Sequence, residues 1–200
     1  MNRLEYIVNK YGLDTDTKHP IDIPISRWKE FPILLNELEI KSAVEIGTYK
    51  GKFAETLCRL IPGIDLSVVD SWKVYKGYKD YGENDLEDIA YEDTIKRSKK
   101  HGFKIIKGWS MDAVNQFEDE SLDYVFIDGN HDFAHVVEDV SAWSKKVKKG
   151  GIVSGHDFFR NHHKRFGVKE AIPGWCAAEQ IAPLFVVRKD QCPSWFYVKA

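Results

Sequence analysis

From residue 42 onward, short apolar runs that end in Gly or Asp alternate with segments of helical periodicity. The runs are AVEIG (43–47), DLSVVD (65–70), FKIIKG (103–108), LDYVFID (122–128) and GGIVSGHD (150–157). Such continuous runs are typical of strands buried on both faces, and the alternation predicts parallel strands joined by right-handed crossovers. LFVV (184–187) and WFYV (195–198), separated by RKDQCPS, predict an antiparallel hairpin. The pattern therefore predicts a doubly wound, mostly parallel, seven-stranded α/β sheet that ends in a C-terminal antiparallel hairpin.

Helical periodicity also precedes these runs. A short amphipathic helix over residues 3–11 is predicted by the spacing of Leu4, Ile7, Val8 and Tyr11. A second helix is predicted around 27–38 after the HPIDIP connector at 19–24, with Pro32 marking a kink or the start. The helical faces between strands begin near residue 53 and recur near 85–100, 111–117 and 133–147. We expect one domain overall, with residues 1–41 as a helical cap or lid and residues 42–200 as the ligand-binding part.

Composition narrows the class of protein. The 200 residues carry 29 Lys+Arg and 31 Asp+Glu, and the net charge of −2 argues against a nucleic-acid binder that works by overall charge. No apolar run approaches the ~18 residues of a membrane helix, and MNRLEYIVNKYG is polar where a signal peptide would be apolar. Cys58, Cys176 and Cys192 are scattered without a CxxC, which predicts a reducing, cytoplasmic location.

Candidate binding residues follow the ends of the predicted strands. Glu45-Ile-Gly47-Thr48-Tyr49-Lys-Gly51 follows the first strand, and Asp70 closes the second. Ligands of doubly wound sheets bind beyond the carboxyl ends of the strands, where an acid after the second strand can bind ribose hydroxyls. The loop is neither GxGxxG nor a Walker loop, and taken alone it is equally typical of a glycine turn in any βα unit. With Asp70, the GWSM segment at 108–111 and Asp128, it predicts a nucleoside-shaped site.

These segments carry a family resemblance. VEIGTYKGKFAE, Asp70, GWSMDA and the pair FIDGNHDF and GGIVSGHDF together resemble class I S-adenosylmethionine-dependent methyltransferases. The sequence is most similar to small O-methyltransferases, both the catechol type and the bacterial group that methylates sugars and natural-product hydroxyls. The resemblance covers roughly residues 42–198 and implies a Rossmann-like fold with S-adenosylmethionine as the cofactor.

The resemblance also implies roles for individual residues. Glu45, Gly47 and Gly51 would surround the methionine part of the cofactor, and Asp70 would bind the ribose. Trp72 would cover the adenine, or else is a core or lid tryptophan. The full set of implied cofactor contacts is Glu45, Gly47, Thr48, Tyr49, Gly51, Asp70, Ser71, Trp72, Ser110, Met111 and Asp128.

A second group of candidates follows the fourth and fifth strands. Asp128 and Asp157 would converge at one rim, where two carboxylates suit a divalent cation such as Mg²⁺ or Mn²⁺. His156 stands where related metal-dependent enzymes have an acidic or amide residue; as a third ligand it would favour Mn²⁺, Fe²⁺ or Zn²⁺ over Mg²⁺. The alternative is that both aspartates only orient loops and the cofactor.

His131 is the candidate general base. It lies three residues after Asp128, and in related sugar O-methyltransferases a histidine near this position removes the proton of the acceptor hydroxyl. The alternative is a capping role, because Asn130, His131 and Asp132 are all suited to a helix N-terminus. His135, in the first turn of that helix, is interpreted as structural.

An aromatic stretch after Asp70 is the candidate acceptor lid, either binding a sugar or aromatic ring or packing over the cofactor. The lysines that accompany these aromatic residues indicate either an anionic acceptor or a charged face in contact with solvent. The two histidines at 162–163, on a later loop, are interpreted as solvent-facing or as substrate contacts. The stretch contains Trp72, Tyr75, Tyr78 and Tyr81, with Lys73, Lys76 and Lys79.

The residues together predict a methyltransferase that acts on a hydroxyl of a small molecule, assisted by a divalent cation. Neither a nucleic acid nor a membrane is an expected partner, and the sequence leaves a homo-oligomer open. Three alternatives remain at this stage: an NAD-dependent oxidoreductase, which should show GxGxxG; a metal-dependent hydrolase, which would not need the nucleoside site; and a non-catalytic binding module.

Overall fold

The computed structural model describes residues 2–16, 19–73, 87–159 and 166–200. Within these residues the chain forms a single sheet in the order β1-β7-β8-β6-β5-β2-β3-β4, in which only β8 runs antiparallel to its neighbours. The strands are β1 (Ile21–Ile23), β2 (Ser42–Ile46), β3 (Asp65–Asp70), β4 (Lys104–Lys107), β5 (Leu122–Ile127), β6 (Val147–Gly155), β7 (Phe185–Val187) and β8 (Ser194–Val198).

Helices cover both faces of this sheet. They are α1 (Arg3–Tyr11), α2 (Glu30–Glu37), α3 (Lys52–Leu60), α4 (Glu87–His101), α5 (Ser110–Ala113), α6 (Phe133–Lys146) and α7 (Val168–Ala178), with a 3₁₀ turn at Val114–Gln116. The doubly wound fold with a C-terminal antiparallel hairpin is therefore confirmed.

The described sheet has one strand more than the sequence predicted. The HPIDIP segment at 19–24 was interpreted as a connector, but Ile21–Ile23 pairs in parallel with Phe185–Val187 at the sheet edge. Ile23 is fully buried in the core, and the flanking prolines suit an edge strand because they need no ladder partner there. The second helix begins at Glu30 rather than near 27, so Pro32 lies in its first turn, where a proline is tolerated.

Alternation along each strand divides the core into two layers. In β2, Ala43 faces the layer formed with α1, α2 and α3, whereas Val44 and Ile46 face the layer formed with α6 and α7. Successive side chains of a strand point to opposite faces, so every central strand contributes to both layers. This is why the strands appear in the sequence as unbroken apolar runs.

Residues 1–41 share the core of the sheet. Ile7 from α1, and Phe31 and Leu34 from α2, are fully buried in the same cluster as strand residues. Arg3 ties α1 down, because its Nε donates to the carbonyl of Leu38 at 2.9 Å and its Nη1 to that of Gly150 at 3.2 Å. The predicted role of this segment as a lid stays a prediction.

The strand order reverses beside β2, which pairs with β3 on one side and β5 on the other. At this switch point the backbone of Gly47 (φ +81°) runs against that of the Asp128–Gly129 loop, and a Cβ on residue 47 would lie 2.0 Å from the carbonyl oxygen of Asp128. Only glycine fits this approach, which holds the ends of β2 and β5 together. None of the helices in the described ranges combines the length and the apolarity needed to cross a bilayer.

Candidate functional site

Two cavities open at the carboxyl ends of the strands, where the strand order reverses. The first has a volume of about 490 Å³ and lies between the ends of β2, β3 and β5 and the helices α5 and α6. The second, of about 270 Å³, is lined by the turn before α2, the start of α3 and the ends of β5 and β6. Gly47, Tyr49 and Asp128 line both cavities, so the two spaces meet at the close approach of β2 and β5.

Asp70 lies on the wall of the first cavity, as the sequence predicted. Its Oδ2 accepts a hydrogen bond from the backbone N–H of Tyr49 and its Oδ1 from that of Trp72, both at 2.8 Å. Burial raises the pKa of this carboxyl group. Each carboxylate oxygen can accept further hydrogen bonds, so the pair fixes the side chain and leaves capacity for ligand hydroxyls.

Ser71 and Trp72 also line the first cavity. Trp72 is 5% exposed and its indole N–H donates to the carbonyl oxygen of Tyr49 at 2.7 Å. Its ring packs against Tyr91, with the ring centroids 4.7 Å apart. Trp72 is thus a fixed part of the cavity wall, and its contact with an adenine stays a prediction.

The opposite end of the first cavity is formed by Ser110, Met111 and α6. The Ser110 hydroxyl donates to Asp139 Oδ1 and accepts a 2.7 Å hydrogen bond from Trp143 Nε1. Burial raises the pKa of Asp139 to about 6. Asp139 was not among the predicted site residues. Its position on the apolar face of α6, between Val136 and Val140, is the feature of the sequence that could have identified it.

His135 and Glu138 also reach this cavity from α6, although His135 was interpreted as structural. Gly51 lines neither cavity. It begins α3 at φ +68°, and a Cβ there would lie 3.3 Å from atoms of Thr94 and Phe103, so it allows α3 to pack closely against its neighbours.

Glu45 and Thr48 line the second cavity rather than the first. Glu45 is 2% exposed, and its Oε2 accepts a 2.9 Å hydrogen bond from the Thr48 hydroxyl. Burial raises the pKa of Glu45 to about 8, so the carboxyl group is largely protonated at neutral pH. A neutral acid at this depth avoids the cost of an unpaired buried charge.

The four predicted residues of the second group converge. His131 Nε2 lies 2.9 Å from Asp157 Oδ2 and 3.3 Å from Asp128 Oδ1. His156 Nδ1 lies 3.2 Å from Asp157 Oδ1 and 3.6 Å from Asp128 Oδ1. Two imidazoles therefore bracket two carboxylates; we call these four residues the carboxylate–imidazole cluster.

The charges of this cluster depend on one another. Burial opposes ionisation of Asp128, yet His156 and His131 hold its pKa well below the usual range of a carboxyl group. Burial likewise opposes ionisation of Asp157, yet hydrogen bonds with the same two rings lower its pKa to about 2. Burial disfavours the charged ring of His156, but the neighbouring Asp128 carboxylate raises its pKa to about 9.

The orientation of each imidazole has a local cause. His156 Nε2 lies 3.1 Å from the carbonyl oxygen of Cys192, which can only accept, so Nε2 carries a proton and Nδ1 faces the carboxylates. The His131 ring packs at a tilt against that of Phe166, with the ring centroids 4.6 Å apart. The cap residue of α6 is Asp132, which makes no side-chain cap hydrogen bond, and the His131 ring points into the cluster.

The cluster has the donor set of a divalent-cation site. Ligand atoms of Asp128, His131 and Asp157 all lie within 4.8 Å of one another. Carboxylate oxygens together with an imidazole nitrogen suit a first-row divalent metal. The predicted ligand pair Asp128 and Asp157 is therefore brought together, with one imidazole on each side.

Arg27, like Asp139, is a site residue that the sequence analysis missed. Its side chain is 9% exposed, and its Nη1 lies 3.3 Å from Asp128 Oδ2. The guanidinium carbon lies 4.5 Å from the ring centroid of Trp28 and 5.3 Å from that of Phe53, within the range of cation–π contacts. No motif could have identified it, because it stands in the turn before α2 and reaches the site only through the tertiary fold.

Part of the predicted aromatic lid falls outside the described ranges. Trp72 and Lys73 both border the first cavity. The remaining predicted positions on which nothing is described are Tyr75, Lys76, Tyr78, Lys79, Tyr81, His162 and His163.

Comparisons with known proteins agree with this architecture. Over residues 44–158 the chain matches a family described as a methyltransferase domain. The solved O-methyltransferase from Bacillus cereus in complex with SAH is 15% identical, with a TM-score of 0.64 over 98% of this chain and 90% of that chain. The O-methyltransferase TomG from Streptomyces achromogenes, involved in tomaymycin synthesis and solved with SAM, is 15% identical, with a TM-score of 0.60 over 96% of this chain and 86% of that one. These likenesses confirm the predicted fold.

A curated relative is also similar. The uncharacterized protein y4gI of Sinorhizobium fredii is 26% identical over an alignment of 150 residues, which covers 72% of this chain. The chain spans about 15% of the length of that relative.

The buried Glu45 generates a prediction about stability and pH. The native carboxyl group keeps its proton up to about pH 8, whereas the unfolded chain releases it near 4.5. The contribution of Glu45 to stability therefore falls as the pH rises between these values, and Glu45→Gln lacks this contribution while it keeps those of the other groups. We expect the free energy of unfolding of the variant to rise relative to that of the wild type by up to ~1.4 kcal/mol per pH unit in this window. Above about pH 8 this difference should no longer change.

Denaturant unfolding of both proteins between pH 5 and 9 measures this difference. Glu55→Gln is the control on α3, because ion pairs with Arg97 and His101 outweigh burial and lower the pKa of Glu55. The control should be less stable than the wild type at neutral pH, whereas Glu45→Gln should be more stable. If the difference in free energy of unfolding between Glu45→Gln and the wild type does not vary with pH, the native Glu45 carboxyl group is not protonated.

Proposed function

Because the chain belongs to the methyltransferase-domain family over residues 44–158, we propose that it is an S-adenosylmethionine-dependent O-methyltransferase acting on a hydroxyl of a small molecule. The family agrees with the resemblance seen in the sequence. The observation that carries the proposal is the junction of two cavities at Gly47, Tyr49 and Asp128. A donor in one cavity and an acceptor in the other would meet there, as a direct displacement requires.

The first cavity fits the proposed cofactor. Its volume of about 490 Å³ lies in the range of small-molecule sites, and Asp70 stands where an acid binds ribose hydroxyls in doubly wound folds. When bound, S-adenosylmethionine supplies an electrophilic methyl group. We assign the ribose to Asp70, the adenine end to Ser110 and Met111, and the methionine end to Gly47 and Asp128 near the junction.

The second cavity is proposed to bind the acceptor. Trp28 is 39% exposed, so its ring offers a surface for a sugar or aromatic ring, and the buried Phe53 packs edge-on behind it at 5.9 Å between ring centroids. Arg27 and Trp28 belong to the segment 1–41, which is the support for its proposed role as a lid on this cavity.

The carboxylate–imidazole cluster is proposed to activate the acceptor hydroxyl. In this assignment Asp128 and Asp157 hold a divalent cation, Mg²⁺ or Mn²⁺, with His156 Nδ1 as the third ligand. His156 suits ligation because its other nitrogen is fixed by the Cys192 carbonyl. The cation would supply Lewis acidity. His131 Nε2 donates to Asp157 when the two carboxylates are not engaged otherwise; once both carboxylates bind the cation, the neutral ring would take the proton of the hydroxyl.

Cofactor binding is the first test of this function. Asp70→Asn should weaken S-adenosylmethionine binding at least ~10-fold, because an amide offers one acceptor oxygen where the carboxylate offers two charged ones. Asp65→Asn, at the opposite and exposed end of β3, should bind like the wild type. Calorimetric titration of the three proteins measures this. Binding of NAD in place of S-adenosylmethionine, or equal binding by both variants, would contradict the proposal.

A second pair of variants separates the two imidazoles. His156→Gln should weaken Mn²⁺ binding, whereas His131→Gln should keep it and lower the rate of methyl transfer ~10²-fold. Mn²⁺ binding is read by electron paramagnetic resonance, and turnover by release of the demethylated cofactor with a panel of hydroxylated acceptors. If turnover is unchanged in the presence of a chelator, a divalent cation does not assist the reaction. Loss of Mn²⁺ binding in His131→Gln alone would reverse the two assignments.

A further inference from the structure

Two lysines stand at the edge of the second cavity. Lys50 and Lys52 flank Gly51 at the start of α3, and both line this cavity. Within the part of the chain that the structure describes, neither ammonium group has a carboxylate within 4.0 Å. Lys50 Nζ lies 5.2 Å from the ring centroid of Tyr49, a cation–π contact that keeps it beside the junction. Their charges are therefore available to a ligand.

The interior of the same cavity adds positive charge. Arg27 lines it, and among the described residues the Arg27 Nε has no hydrogen-bond partner although it is buried. Its backbone N–H donates to Asp190, and the neighbouring Ser26 hydroxyl donates to the same carboxylate at 2.8 Å. The arginine is thus held in place from outside the cavity, and its guanidinium is directed inward to Asp128.

The acids of the cavity do not offset these charges. Asp128 and Asp157 are already engaged by the two imidazoles and Arg27. Glu45 is largely uncharged at neutral pH because it is buried. Lys50 and Lys52 consequently leave the entrance positive beside the exposed ring of Trp28.

We propose that the acceptor of this cavity is a small ring compound that carries an oxyanion group, a carboxylate or a phosphate, held by Lys50 and Lys52 while its ring lies against Trp28. The proposal rests on the proposed function, because it names the substrate class of the same site. A lysine pair that has no carboxylate partner among the described residues can bind an oxyanion through charge-assisted hydrogen bonds. The volume of about 270 Å³ accommodates one ring with its substituents.

The test measures equilibrium binding and needs no turnover. Ligand-observed NMR gives the Kd of 3,4-dihydroxybenzoate and of glucose 6-phosphate, each compared with its uncharged counterpart, catechol or glucose. At least one charged probe should bind about tenfold more tightly than its counterpart, the effect of one or two charge-assisted hydrogen bonds. Inorganic phosphate should displace the bound probe. Which of the two probes binds distinguishes a carboxylate from a phosphate.

Matched double variants assign the binding to the lysines. Lys50→Gln/Lys52→Gln should abolish the preference for the charged probe. Lys99→Gln/Lys100→Gln removes the same two charges from the exposed last turn of α4 and should keep the preference. Equal binding of charged and uncharged probes by the wild type would overturn the proposal, as would equal losses in both double variants. Because cofactor binding is measured separately at Asp70, a failure here is distinguishable from a failure of the proposed function.

Discussion

The candidate site depends on the contact between two backbones at the centre of the sheet. Gly47 leaves β2 in a left-handed conformation (φ +81°) and lies directly against Asp128 and Gly129, with no space for a Cβ. Hydrogen bonds from the Gly47 N–H to the Val69 carbonyl and from the Asp128 N–H to the Ile46 carbonyl, both 2.8 Å, continue the sheet up to this point. The contact fixes the position of Asp128 and makes it the common wall of both cavities.

The second physical feature is the balance of charge around Asp128. The carboxylates of the partly buried Asp128 and the buried Asp157 would raise the pKa of one another if they stood alone. Arg27 and the two imidazoles instead keep both ionised, and the carboxylates in turn keep His156 protonated. The carboxylate–imidazole cluster can therefore exist without a cation, and a divalent cation would have to compete with the His156 proton. This competition is a reason to measure cation binding directly rather than to infer it from the two aspartates.

Much of this site follows from local sequence, because parallel strands place their final residues at one edge. Asp70, Asp128 and Asp157 were predicted as strand-end acids, and all three line the cavities. The division between cavities was not predicted: Glu45 lies on the same face of β2 as Ala43, whereas Ile46 faces the other layer and the first cavity. Arg27 and Asp139 were missed because a turn and a helix bring them in, and their positions depend on packing between elements distant in sequence.

We infer that two cavities that meet at Asp128 form one site. A crystal structure of the protein with bound SAH tests it most directly, because the sulfur marks the position from which a methyl group leaves. We expect the adenine near Ser110, the ribose hydroxyls on Asp70 and the sulfur at the junction beside Gly47, facing the second cavity. A sulfur atom that faces away from the second cavity, or a nucleoside bound within it, would contradict the claim.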